Sequence, residues 1–155
     1  MPDTDRNVTF YAIESDFPSI AIKLIEKKYT QGERVLLLCS HEDELQLLDS
    51  NIWTYSKLSF IPHGSARSIG NDDIEFCYTW LSTEIVLSNN PKCLIHNGLT
   101  IKDDKIQKFQ NIIDIFDKSL IDESKIRASY YEDMHFNCQK TWIQQGSKWI
   151  QGENT

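Results

Sequence analysis

The chain has 155 residues, 40% of them hydrophobic and 25% charged, with a formal net charge of −7. That length builds one domain with its own core, without disulfides or metals as staples, and no apolar run approaches the ~20 residues of a membrane span. An acidic balance does not suit a broad phosphate-gripping surface, because nucleic-acid affinity rests on lysine and arginine, so direct nucleic-acid binding is not expected.

The opening "MPDTDRNVTFYAIES" holds acidic groups and no apolar run of signal length, which leads us to expect a cytoplasmic protein. Four scattered cysteines, Cys39, Cys77, Cys93 and Cys138, read as reduced thiols. In chain order, "NVTFYAI" (7–13) alternates β-branched and aromatic residues and predicts a first strand. A helix follows, with Asp16 and Pro18 at its start and Gly32 at its end, and Ile20, Ile22, Leu24 and Ile25 near one side. "RVLLLC" (34–39) is continuously apolar, the pattern of a strand buried on both faces of a parallel sheet. Ser40 is the expected cap of a second helix, whose Leu45, Leu48 and Ile52 form one stripe.

Further strands are expected at "SFIP" (59–62), "EIVLS" (84–88), "CLIHN" (93–97) and "NIIDIFD" (111–117). A last helix is expected from about Ser119 to Met134. The tail from about 143 to 155, polar with two glycines, reads as loosely ordered beyond a core of about 8–142. Alternating strands and helices predict a single Rossmann-like, three-layer α/β domain over 1–155, with a mostly parallel central sheet flanked by helices.

Chemistry is sparse. A nucleotide site needs a glycine-rich turn from strand to helix, but the first strand runs into "ESDFPS" and the second into "CSHEDE". Cys39 with His41, and Cys93 with His96, lack a second half that would complete a metal site. His63, between Pro62 and Gly64, is the one candidate general base, with Ser59 and Ser65 close in sequence. Neighbours on a strand do not give a triad, so a small hydrolase is the lesser reading and a histidine that fixes a turn the simpler one. No catalytic residue, cofactor or metal is expected.

The segment "LDSNIWTYSKLSFIPHG" (48–64) concentrates aromatic residues among small polar ones. With its Leu-Asp, Ile-Trp and Ser-Phe-x-Pro-His it closely resembles the signature of the chi subunit family of bacterial DNA polymerase III. The resemblance extends to "TFYAI", "GERVLLLC", "EIVLS", "CLIHN", "NIIDIFD" and a terminal helix with Arg-x-x-Tyr. It implies a Rossmann-type domain without nucleotide chemistry and a non-enzymatic accessory role in DNA replication. The implied role ties the clamp-loader assembly, through the psi subunit, to the single-stranded-DNA-binding protein (SSB).

By position, the resemblance places Trp53 and Phe60 at the contact with psi; the other reading of Trp53 is a core residue capping the second helix. It also places a docking site for the acidic, Phe-ending tail of SSB on the last helix. The positions there read Glu123, Arg127, Tyr130 and Tyr131, so two of the family's basic groups are replaced, with Lys125, Lys118 and Lys140 near enough to supply charge. An interaction domain of the same fold with changed partners is the remaining alternative.

Overall fold

The computed structural model describes residues 6–55, 62–66, 74 and 77–152. These form one sheet in the order β3-β4-β2-β5-β6-β1-β7-β8. The strands are β1 (Asn7–Ile13), β2 (Val35–Leu38), β3 (His63–Ser65), β4 (Thr79–Ser82), β5 (Cys93–Asn97), β6 (Asn111–Asp117), β7 (Asn137–Gln145) and β8 (Lys148–Gly152). Every neighbouring pair is parallel except β7 with β8. Helices α1 (Phe17–Thr30) and α2 (Glu42–Tyr55) cover one face, and α3 (Ile121–Asp133) with a 3-10 turn at Asp104–Lys108 covers the other. The expected three-layer α/β arrangement is the one observed.

β2 shows why. Val35 and Leu37 point into the α1/α2 core, Leu36 and Leu38 into the α3 core, and all four are buried. A strand sandwiched in this way has no solvent side, so its sequence cannot alternate. α1 starts where expected: Asp16 accepts from the Ser19 N–H at 3.1 Å, Pro18 stands in the first turn, and Gly32 leaves the helix at a φ of +74°.

Three elements differ from the sequence expectations. His41, not Ser40, caps α2: its Nδ1 accepts from the Glu44 N–H at 3.2 Å, while the Ser40 N–H donates back to Glu44 Oε1 at 2.8 Å. This is a variant of the reciprocal capping geometry, with an imidazole nitrogen in place of a hydroxyl and the return bond taken from the residue before the cap. Residues 84–88 are not a strand; β4 lies earlier, at Thr79–Ser82, where Trp80 and Leu81 are buried. Ile85 and Val86 still pack into the core from a loop, which Asn89 pins by donating to the carbonyls of Val35 and Cys77. The tail is ordered through residue 152: β7 extends beside β1 and turns back through Gly146, φ +61°, into β8. Of "SFIP", residues 59–61 lie outside the described residues, and β3 begins directly after Pro62.

Candidate protein-interaction site

α3 is anchored to the sheet by a buried polar cluster rather than by apolar contact alone. Asp114, in the middle of β6, is fully buried. It accepts from Arg127 Nε at 2.7 Å on Oδ2 and from Arg127 Nη2 at 2.9 Å on Oδ1, the planar fork-to-fork pairing suited to guanidinium and carboxylate. The Tyr131 hydroxyl donates to Asp114 Oδ2 at 2.9 Å and lies 2.8 Å from His96 Nε2. The Leu99 N–H donates to His96 Nδ1 at 2.9 Å. With Nδ1 an acceptor, a neutral imidazole carries its proton on Nε2 and donates it to Tyr131, so each member's proton points one way along the chain.

Burial depresses the His96 pKa below its ordinary value, more than Asp114 restores it, and burial followed by Asp114 pushes the Tyr131 hydroxyl well up. The linkage has a definite sign. An imidazole held neutral in the fold binds fewer protons than the unfolded chain, so stability rises with pH through the region below about 6.5. We expect urea midpoints to be flat from pH 7 to 8 and to fall from about pH 6.5 downward, with that fall reduced in His96→Gln. A fall of equal size in the variant would assign the acid sensitivity elsewhere.

The same cluster decides where the sequence-predicted residues stand. Arg127, 5% exposed, and Tyr131 face inward, whereas Tyr130 is 47% exposed and Lys125 is exposed. Lys125 and Tyr130 are five residues apart, about 140° around the helix, so the four do not share one open face. Arg127 and Tyr130 are adjacent through i, i+3 spacing, with the exposed Glu123 one turn before Arg127. The ion pair engages Nε and Nη2 of Arg127 and leaves Nη1. The guanidinium lies under Gly98, φ +58°, whose missing Cβ would stand 3.6 Å from Nη2. Lys118, 3.1 Å from Glu14, is already paired. Arg127 and Tyr131 turn inward while Tyr130 does not, and the residue that draws the first two in is Asp114 on a strand, 13 residues before Arg127.

On α2, Trp53 is 54% exposed and is not a core residue. Its ring lies 4.7 Å from that of His63, and His63 Nε2 lies 3.3 Å from Asp49 Oδ1. Asp49 and Trp53 are i, i+4 on α2, so both reach down onto β3 from one face. The His63 side chain is 1% exposed, a poor position for a base that must meet a substrate. Leu47 and Tyr55 are further exposed apolar groups on α2. Phe60, the other residue expected at this contact, lies outside the described residues.

The four cysteines are free, and Cys39, Cys77 and Cys93 are buried as small hydrophobes. Burial raises Cys39 to about 12, helped by Glu44 and Glu42, and burial raises Cys93 to about 12. Among the described residues no helix is long and apolar enough to cross a membrane, and no group of three or more His, Cys, Asp or Glu could hold a metal ion.

Residues 6–138 match the family model described as DNA polymerase III chi subunit, HolC. The chain is 39% identical over 64 residues to a DNA polymerase III subunit chi of Pseudomonas aeruginosa, covering 39% of this chain and 45% of that protein. It is 29% identical over 69 residues to the DNA polymerase III subunit chi of Escherichia coli, covering 39% of this chain and 47% of that protein. A probable DNA polymerase III subunit chi of Rickettsia prowazekii is 39% identical over 49 residues, covering 32% of this chain and 30% of that protein. The aligned stretches thus span less than half of these curated relatives. With the family model matched from β1 into β7, the chain belongs to the DNA polymerase III chi subunit family.

Proposed function

We propose that the protein acts in the cytoplasm as a non-catalytic accessory subunit of the polymerase III clamp-loader assembly, joining a psi-type subunit to the C-terminal tail of SSB during DNA replication. The observation that carries this reading is Trp53. An indole more than half exposed, seated against the buried His63 ring that itself lies 3.3 Å from Asp49, is an anchor already held in place before a partner arrives. It supports a psi contact made by Trp53, with Phe60 following in the same signature.

For the SSB tail the reading rests on Tyr130, whose ring can stack on a terminal phenylalanine, and on the Arg127 edge beside it. Tyr131 holds Arg127 in place through Asp114, and Lys125 supplies charge from the flank of α3. Asp114 already neutralises most of the guanidinium, and Glu123 opposes an acidic ligand, so binding on the order of micromolar (about −8 kcal/mol) is expected, weakening with salt. Calorimetry with SSB, with and without its last residues, tests the link. Binding should require the tail, weaken on Tyr130→Ala, and tighten roughly threefold on Glu123→Lys, the size of one exposed charge contact. Tail-independent binding, or a Glu123→Lys variant no tighter than wild type, would move the contact away from α3.

A further inference from the structure

The end of β7 and the whole of β8 lie beyond residue 138, where the family match stops. Among the described residues β8 is the outermost strand of the sheet, with four of its five residues exposed and the last half-buried. The edge is apolar at its centre: Trp149 rests edge-on against Tyr11 at 5.6 Å on the α1 side, and Ile150, 42% exposed, stands opposite Ile143 on the α3 side. An edge of this kind offers unpaired backbone groups to another strand.

We infer that β8 pairs with β8 of a second copy of this chain, antiparallel and centred on Ile150, so that one sheet runs through the dimer.

The register suits a second copy. A two-residue turn closes on a hydrogen-bonded pair, here Gln145 with Lys148, so the backbone groups of Lys148, Ile150 and Gly152 point to β7. Those of Trp149 and Gln151 therefore point outward. Two-fold pairing about Ile150 sets Trp149 opposite Gln151 of the other copy, twice, and uses all four outward groups of these two residues. The central position becomes a non-hydrogen-bonded Ile150–Ile150 pair, the type with side chains closest together. The strand's one charge, Lys148, meets glycine rather than itself, because Gly152 is its mate in this register. A shift of the centre by one residue loses both features. The net charge of −7 on each copy is carried elsewhere, and salt screens charges more than about 10 Å apart. Five residues of pairing bury less than the ~1,200 Å² of a stable complex, so the dissociation constant is on the order of 100 μM.

Two readouts test this. In analytical ultracentrifugation at ~0.15 M salt, the wild type should pass from monomer to dimer with rising concentration, and Gln151→Pro should raise the dissociation constant at least ~10-fold. Proline is chosen because the N–H it removes faces outward, which an edge strand tolerates; far-UV circular dichroism checks that the variant is folded. Under mild oxidation Ile150→Cys should form a disulfide dimer, since opposed non-hydrogen-bonded residues stand at bridging distance, whereas Lys148→Cys should not. A wild type that stays monomeric up to about 1 mM, a Gln151→Pro variant that dimerises as well as wild type, or Lys148→Cys cross-linking as fast as Ile150→Cys would each overturn the proposal.

Discussion

Replacing Asp114 with alanine is expected to cost about 3–5 kcal/mol of folding stability, the largest loss of any single substitution considered for this chain. The reason is the partner left behind. Arg127 is buried, its Nε and Nη2 are both committed to Asp114, and Phe116 lies 5.5 Å beneath the guanidinium. Removing the carboxylate strands a cation where water does not replace it, and it also takes the acceptor from the Tyr131 hydroxyl. For a domain of this size the melting temperature should fall by roughly 10–15 °C. The double variant Asp114→Ala/Arg127→Met should recover much of the loss, because a buried ion pair replaced on both sides by apolar groups is nearly neutral. Tyr131→Phe, which removes the hydroxyl that donates to Asp114 and accepts from His96 but keeps the ring against Phe10 and Phe136, should cost about 2–3 kcal/mol. A loss below about 1 kcal/mol for Asp114→Ala would mean that the cluster does not hold α3 to the sheet.

That cluster marks where the sequence became hard to read. β2 announces itself because a strand buried on both faces of a parallel sheet is apolar throughout, β1 by its alternation, β5 and β6 by mostly apolar runs, and α1 because Asp16, Pro18 and Gly32 impose its ends by local geometry. Residues 84–88 look like a strand because β-branched side chains suit any buried site; what sets their backbone is Asn89 reaching carbonyls up to 54 residues away. The hairpin at the end was legible in principle, since Gly146-Ser147 sits between two Trp-Ile runs, yet its polar residues suggested disorder more loudly. On α3, three- and four-residue spacing relates Arg127 to Tyr130 and Tyr131, but Arg127 and Tyr131 are buried while Tyr130 is exposed, and which way each looks depends on what opposes it. An aspartate inside "NIIDIFD" reads as an interruption in an apolar strand; in the structure it is the reason Arg127 points inward.

Trp53→Ala should leave the protein folded and reduce its affinity for a psi-type subunit by about 2–4 kcal/mol, roughly 30- to 1,000-fold. The two halves of this expectation come from the same geometry. More than half of the indole is already in water, so its removal forfeits little beyond the contact with the His63 ring and should shift the urea midpoint by less than a core truncation would. In a complex the rest of that surface becomes buried, and tryptophan loses little rotamer freedom when it is already seated against a neighbour. His63→Asn separates support from contact: it removes the platform and weakens the link to Asp49, so it should cost stability while reducing affinity less than Trp53→Ala does. Surface plasmon resonance of both variants against the psi-type subunit, with their urea midpoints measured in parallel, decides the matter. If Trp53→Ala binds as wild type while remaining folded, the psi contact lies on another face; if it unfolds, the indole is structural despite its exposure.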